Sequence, residues 1–391
     1  MALKTTHPVL GARALNRATL DRQLLLRPAS LGVTEAVEHL LGLQAQNTKP
    51  PYYALAARLD GFRPEQLSAL MESRDVARIV TMRSTVHTHT ARDAVALRGL
   101  AQGGAIDREL AIFVSRGGLD GVDLDRLADL ARALVAERPR TPKELREELL
   151  PEWPDADPQS LSVAARCLLP MVQVTPRGLW GRGGQVALTT TDQWFGDPAG
   201  DPAGDPAGEP ADEPAGDPAD GAADLDATVL RYLGAFGPAS VKDMQTWCGL
   251  TKLGPVFERL RPGLLVFQDE RGTELFDLPD APRPDEDTPA PPRFLPEFDN
   301  LLLSHADRSR VVPAEAKGRT WTGNQAHRVF LLDGFLAGLW RLDEGKDRTT
   351  LTVEPFAHVT RAQRAALTAE AERTLRRMTP SDIPYEIVHA E

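Results

Sequence analysis

Three amide side chains fall within four residues in the run Leu41-Gly42-Leu43-Gln44-Ala45-Gln46-Asn47-Thr48-Lys49-Pro50-Pro51. An amide carries a carbonyl acceptor and an amino donor on one side chain. Gln44, Gln46 and Asn47 can therefore hold a water, read a base edge or grip a phosphate. On a helix Gln44 and Gln46 would diverge by about 200°. On an extended segment they would point the same way. The prolines disfavour helical geometry from Lys49 onward, so a helix starting at Val33 is expected to end within 44–47. The plainer alternative, favoured by composition, is a polar helix end whose amides cap carbonyls.

Three further stretches carry chemistry. In Thr81-Met82-Arg83-Ser84-Thr85-Val86-His87-Thr88-His89, Arg83 sits between two β-like segments, a place to meet a phosphate. His87 and His89 share one face of a strand. Two such histidines could begin a metal site, but no Cys, Asp or third His is near, and satisfied surface or interface histidines are the better reading. In Arg293-Phe294-Leu295-Pro296-Glu297-Phe298-Asp299-Asn300-Leu301, an extended strand would put Glu297 and Asp299 on one face. Paired carboxylates can do acid/base work; buried, hydrogen-bonded acids in a turn are the favoured alternative. Arg177 and Arg182 flank Trp180 in a glycine-rich turn. That composition suits DNA backbone contact or wedging, or an ordinary solvated turn. The chain has no phosphate-binding glycine loop, no Gly-x-Ser-x-Gly elbow and no His-Glu-x-x-His, which argues against a nucleotide-dependent enzyme, a serine hydrolase and a zinc protease.

The elements that must position these residues belong to a chain of 391 residues, 42% apolar and 26% charged. Those values are ordinary for globular domains, and the length suggests roughly two to four of them. No apolar run approaches the ~18 residues of a membrane span. Residues 1–10 lack the apolar core of a secretory signal. Cys167 and Cys248 make neither a disulfide framework nor a zinc site, so cytosolic thiols are expected. The net charge of −11 is unevenly placed. The Asp-Pro-Ala-Gly repeat of 196–221 holds eight acids and no base. Its period matches no solenoid, and it reads as a disordered, self-repelling spacer rather than a DNA mimic. Without it 45 basic residues face 48 acidic ones, and residues 1–120 carry a net of +4. A locally positive surface is therefore compatible with the acidic whole.

Elsewhere one pattern recurs: two or three short helices, then a hairpin. The spacing predicts helices over 19–26, 33–43, 52–59 and 64–71, β segments over 77–82 and 85–88, and a helix over 91–100. A second set has helices over 124–136, 141–149 and 158–169 and a hairpin of 172–175 with 185–190. A third has helices over 225–235, 240–248 and 252–260 and a hairpin of 264–268 with 274–278. Thr141-Pro142-Lys143-Glu144 is a strong helix start, with Thr as cap, Pro first and Glu third. Helices closed by a hairpin describe a winged helix, three short helices burying one face on a small sheet. Residues 329–342 and 349–355 read as a β-hairpin turned at 343–347, followed by an amphipathic helix over 361–377. A Pro/Asp-rich stretch at 279–292 is a boundary or a long loop. The expected fold is α+β: winged-helix domains over 1–120, 121–195 and 222–280, the acidic linker at 196–221, and a β-rich C-terminal domain with a terminal helix over 281–391.

Four runs together carry a resemblance. They are Gly42-Leu43-Gln44-Ala45-Gln46; Arg78-Ile79-Val80-Thr81-Met82-Arg83-Ser84-Thr85-Val86-His87; Tyr232-Leu233-Gly234-Ala235-Phe236-Gly237-Pro238-Ala239 with Trp247-Cys248-Gly249-Leu250; and Leu295-Pro296-Glu297-Phe298-Asp299-Asn300. In this order, over residues 15–353, the chain resembles the bacterial winged-helix DNA glycosylases of the AlkZ/YcaQ type, with the acidic repeat as an insertion. The resemblance implies three stacked winged helices and a small β-rich C-terminal domain. It implies a monofunctional glycosylase that excises N7- or N3-alkylated purines, crosslinked ones included, without metal or cofactor. The family signature is glutamine, an apolar residue, then glutamine or aspartate. Gln44-Ala45-Gln46 has the two-glutamine form that goes with unhooking of interstrand crosslinks, Ala45 being the smallest residue that fits its place. By the same resemblance Gln44 and Gln46 are catalytic. Asn47, Arg83, His87, Arg177 and Arg182 contact DNA, and Asp299 and Asn300 support the active site. The implied partner is double-stranded DNA with alkylated or crosslinked purines, met by a monomer in the cytoplasm, at the nucleoid, with no membrane involved. Ala/Arg/Gly/Pro-heavy usage suits an actinobacterial source, where such proteins protect producers of DNA-alkylating antibiotics. The rival reading is a non-enzymatic winged-helix regulator, which explains the repeated units but has no need of paired glutamines. A protein scaffold is a third, favoured only by the acidic linker.

Overall fold

The computed structural model describes residues 7–196, 224–380 and 382–390, so the acidic repeat lies outside the described residues apart from Gly196. The chain is a mixed α+β protein that divides into two compact units, Met1–Ala69 with Leu225–Glu391, and Leu70–Asp224.

In the first unit the helix Ala12–Arg22 begins well before the expected residue 19. Gly11 precedes it without a side-chain cap, and Arg13, Arg17 and Arg22 mimic a solvent face. Two of the three are in fact buried. Arg22 grips Asp277 with both terminal nitrogens, at 2.6 and 2.9 Å. Arg17 donates to the Thr288 carbonyl at 2.7 Å, and Arg13 to that of Glu286 at 2.9 Å. Both also pair with Asp333. Proline keeps its carbonyl but lacks an N–H, and arginine has five donors and no acceptor. Arg22 also donates to the Pro282 carbonyl, at 3.2 and 3.1 Å, and the 279–292 stretch is a long loop tied along this helix.

Three helices, Leu225–Phe236, Val241–Cys248 and Gly254–Leu260, are followed by antiparallel strands Leu265–Asp269 and Glu274–Asp277. Ser240 and Asp243 cap the second helix reciprocally. The same unit holds a five-stranded sheet ordered Tyr385–His389, Thr349–Pro355, Phe335–Glu344, Val329–Leu332 and Arg293–Leu295. Its first pair is parallel and the others are antiparallel. The expected single strand over 329–342 is two strands, folded back at Asp333-Gly334 where φ is 47° and 81°. A Cβ on Gly334 would press on Asn16, Arg17 and Leu20, so only glycine fits this turn. The helix Arg361–Met378 lays Leu367, Ala371 and Leu375 inward. Leu295, Val329, Leu331 and Leu336 join Leu20 and Leu25 in this unit's core.

In the second unit Val86–Thr90, Val76–Val80, Met171–Gln173 and Leu188–Thr190 lie side by side as an antiparallel array. Helices Leu124–Glu137, Pro142–Leu149 and Pro158–Leu168 precede its last two strands. They bury Leu127, Ala131 and Val135 against Leu145, Leu149, Leu161 and Ala165, on each helix four residues apart and so on one face. The expected helix start is present. Thr141 accepts from the Glu144 N–H at 3.2 Å, and the Glu144 carboxylate accepts from the Thr141 N–H at 2.7 Å. That backbone contact, and then Arg138, lower the Glu144 pKa from 4.5 to about 2. A depressed carboxylate stabilises the fold above its unfolded pKa, and this contribution disappears as pH falls through the folded value. Glu144→Gln is therefore expected to lower the melting temperature at neutral pH, with the deficit closing between about pH 5 and pH 2. Melting curves across that range check this; a pH-independent deficit would contradict it.

Candidate active site

The helix from Val33 ends at His39, not within 44–47. Leu41 and Gly42 take positive φ, 54° and 87°, and turn the chain into a two-residue strand, Leu43–Gln44. A glycine just past the last helical turn was the cue for this earlier stop. Asn300 holds the turn from outside, donating Nδ2 to the Gly42 carbonyl at 2.7 Å and to that of Leu40 at 3.3 Å. Gln44 is thereby extended and buried, whereas Gln46 and Asn47 lie on an exposed bend.

Gln44 lies with Pro50, Ala54 and residues 296–300 along a narrow crevice. The 296–300 segment is no extended strand. Phe298 takes φ of 62°, and Asp299 caps the short turn Asn300–Leu302 by accepting from the Leu301 N–H at 3.0 Å. Its two acids therefore serve different partners. Asp299 receives both terminal nitrogens of Arg58, each at 2.8 Å, and both side chains are fully buried. Arg58 also donates to the Ala54 carbonyl and to Gln23. Glu297 accepts from Asn47 Nδ2 at 3.2 Å and from Arg328 Nε at 2.9 Å. The Arg328 guanidinium lies over the rings of Tyr53 and Trp340, at 5.2 and 5.1 Å. Burial, ahead of the charge of Glu344, raises the Tyr53 pKa far above its usual value, so its phenol stays protonated. One unit thus brings together Gln44, Asn47, Glu297, Asp299 and Asn300, with Gln46 on the adjoining bend.

The other sequence candidates lie in the second unit. Arg83 sits half-exposed in a tight turn at φ of 57°. His87 is buried, and burial, ahead of the charges of Arg83 and His89, lowers its pKa well below the ordinary value. Its ring is therefore neutral. Nδ1 lies 2.9 Å from the Thr85 carbonyl, which only accepts, so Nδ1 carries the proton. Nε2 then accepts from the Arg83 guanidinium at 3.3 Å. His87 therefore meets the outside through Arg83, and it stacks on His89 at 5.6 Å. Arg177 donates to the Gly184 carbonyl at 3.0 Å and closes its own turn, while Arg182 is exposed, 3.6 Å from Glu72.

Two features escaped the sequence reading. Arg328 gave no signal, since its partner Glu297 lies far away in sequence. The small hairpin Trp321–Thr322 with Gln325–Ala326 had one: Gly323-Asn324 is a two-residue turn pair between short β segments. Trp321 is exposed and meets Phe298 of the crevice edge-on, at 5.5 Å between ring centres. Among the described residues no helix is long and apolar enough to cross a membrane.

Residues 37–377 match the model of a family described as DNA glycosylase AlkZ-like. Among solved structures, the DNA glycosylase AlkZ of Streptomyces sahachiroi superposes with a TM-score of 0.74, over 97% of this chain and all of its own. Sequence identity is 19%, so the likeness is one of fold. No curated protein sequence matches the chain.

Proposed function

The chain belongs to the AlkZ-like DNA glycosylase family, and from that premise we propose that it hydrolyses the N-glycosidic bond of N7- or N3-alkylated purines in duplex DNA. The observation that carries this reading is Gln44, a neutral amide held buried and extended in a crevice beside Glu297 and Asp299. An amide is no general base. An N7- or N3-alkylated purine needs little help, because it is already cationic and leaves once the glycosidic bond stretches. What remains is to hold a water in line with C1′ and to set carbonyl dipoles against the positive charge growing on the sugar. Gln44 and Gln46 do this through their side-chain oxygens. Normal purines, poor leaving groups, stay untouched.

The crevice beside Gln44 is narrow, and this supports action on lesions met at the surface rather than on nucleotides swallowed whole. A crosslinked purine cannot be flipped out, so such a site suits interstrand crosslinks. The successive helix sets with their hairpins serve as winged helices on DNA. Arg83, braced by neutral His87, and Arg182 meet phosphates, while Arg177 shapes the turn that presents Arg182. The protein works as a monomer in DNA repair.

Two DNA substrates test this reading: a duplex with one N7-methylguanine and one with a guanine–guanine interstrand crosslink. After treatment with hot alkali, strand scission at the resulting abasic site is expected from both. Scission of the first alone would remove crosslinks from the substrate range, and DNA binding without scission of either would favour the regulator. Trp321 is expected to stack on an unpaired or distorted base. Trp321→Ala should weaken lesion-duplex binding by roughly 1–3 kcal/mol, read by fluorescence anisotropy; unchanged affinity would exclude that contact.

A further inference from the structure

A cavity of about 580 Å³ lies within the first unit and shares no lining residue with the crevice beside Gln44. Its walls are the start of the helix Ala12–Arg22, the first turn of the helix Val241–Cys248, the turn between the strands Leu265–Asp269 and Glu274–Asp277, and residues from 306–310. That volume suits a small ligand. The acids on its walls are already engaged. Asp307 takes Arg271 at 2.8 Å and the Ser309 N–H at 3.0 Å. Glu274 takes both terminal nitrogens of Arg261, at 3.1 and 2.7 Å. Asp269 takes the N–H groups of Arg271 and Thr273, at 2.9 and 2.7 Å. Asp243 takes the Ser240 N–H and the Ala306 N–H, each at 2.8 Å. Glu270 takes the Ala12 N–H at 3.3 Å.

The donors on the same walls are not all engaged. Arg310 is only 5% exposed. Its Nη1 donates to the Thr19 hydroxyl at 3.2 Å and to the Pro238 carbonyl at 2.7 Å. Its Nη2 comes within 3.9 Å of Asp243, beyond hydrogen-bonding reach. Among the described residues neither Nη2 nor Nε has an acceptor, a state that buried polar groups rarely keep. These two nitrogens form one edge of the guanidinium, the edge that can take two oxygens of a phosphate in parallel. Lys242, exposed on the same wall, pairs with no acid among the described residues. It is the second residue of its helix. The first N–H groups of a helix have no partner within it and sit at the positive end of its dipole. The Ser240 hydroxyl accepts that of Asp243 at 3.1 Å, which leaves those of Val241 and Lys242.

We propose that this cavity binds a phosphate group, held by the Nε–Nη2 edge of Arg310, the Lys242 ammonium and the first turn of the helix Val241–Cys248. Because the same walls carry acids, the grip is local and takes one phosphate, not a run of them. A free phosphate and a single phosphate of a DNA backbone present the same oxygens to these donors. The inference stands apart from the glycosylase reading, since phosphate binding is measured without base release.

Thermal melting of the full chain in inorganic phosphate, against chloride matched in ionic strength, tests it. Phosphate is expected to raise the melting temperature of wild type by about 2–4 °C, as a ligand several times above its Kd does. Lys242→Ala and Arg310→Gln should each lose most of that gain. Lys346→Ala, at an exposed turn far along the chain, should keep it. If Arg310→Gln fails to fold, Lys242→Ala carries the comparison alone. No gain in wild type, or the same gain in Lys242→Ala, would overturn the proposal. The source of the phosphate is read from the salt dependence of binding to undamaged duplex. A slope of log K against log salt that falls by about 1 in Lys242→Ala assigns the site to the DNA backbone, and an unchanged slope assigns it to a free phosphate.

Discussion

Gln44→Ala is expected to slow base release on the order of 10²–10³-fold, the loss seen when one preorganised dipole is removed from a transition state, while duplex affinity stays near wild type. The size follows from its setting. Gln44 is buried in the short strand after the Leu41-Gly42 turn, and Asn300 fixes that turn. Its amide is therefore organised before substrate arrives, and an alanine leaves water to reorganise there during the reaction. Gln46 lies exposed on the bend, so water can partly replace it. Gln46→Ala should cost only about tenfold, one ordinary hydrogen bond. Single-turnover release from an N7-methylguanine duplex compares the two. Equal losses would mean that burial of Gln44 plays no part, and no loss at Gln44 would move the chemistry elsewhere.

The second large effect concerns stability. Asp299→Ala should destabilise the protein by roughly 3–5 kcal/mol, because it strands the buried Arg58 charge. The pair is bidentate at 2.8 Å, and neither side chain is exposed. Replacing both partners removes the uncompensated charge, so Arg58→Met with Asp299→Leu should recover most of the loss. Urea unfolding of the three proteins measures this. A double variant as unstable as Asp299→Ala would show that the loss comes from the turn capped through the Leu301 N–H rather than from the stranded charge. The same geometry sets the two acids apart: Asp299 holds the crevice wall in place, and Glu297 addresses the amide beside the glutamines.

What the sequence revealed depended on whether a residue's local signal agreed with its distant partners. Thr141-Pro142-Lys143-Glu144 was legible because its cap is made within four residues. The paired strands around Arg83 were legible from β-branched composition, within a residue or two of Val76–Val80 and Val86–Thr90. The first helix was misplaced because Arg13 and Arg17 look like solvent residues, and what neutralises them comes from Asp333 and the 279–292 loop. The end of the helix from Val33 was overshot because apolar periodicity continues through Leu41 and Leu43, while two positive-φ residues stop the helix. Glu297 and Asp299 drew notice as a pair on one strand face. The turn at Phe298 separates them, and only the fold shows that one pairs with Arg58 and the other with Arg328 and Asn47. Residue type and spacing, together with the resemblance, single out Gln44 as a candidate, but they do not show its burial, which decides the expected size of its effect.

The most direct measurement uses the wild-type protein and a duplex with a single N7-methylguanine. The products are analysed by mass spectrometry for free base, and a parallel reaction in borohydride is examined for trapped protein–DNA adduct. Free 7-methylguanine is expected in step with abasic sites, with no trapped adduct, as hydrolysis by a held water requires. A duplex that stays bound with its lesion intact would contradict the account, and a trapped adduct would show that an amine of the protein, not water, attacks the sugar.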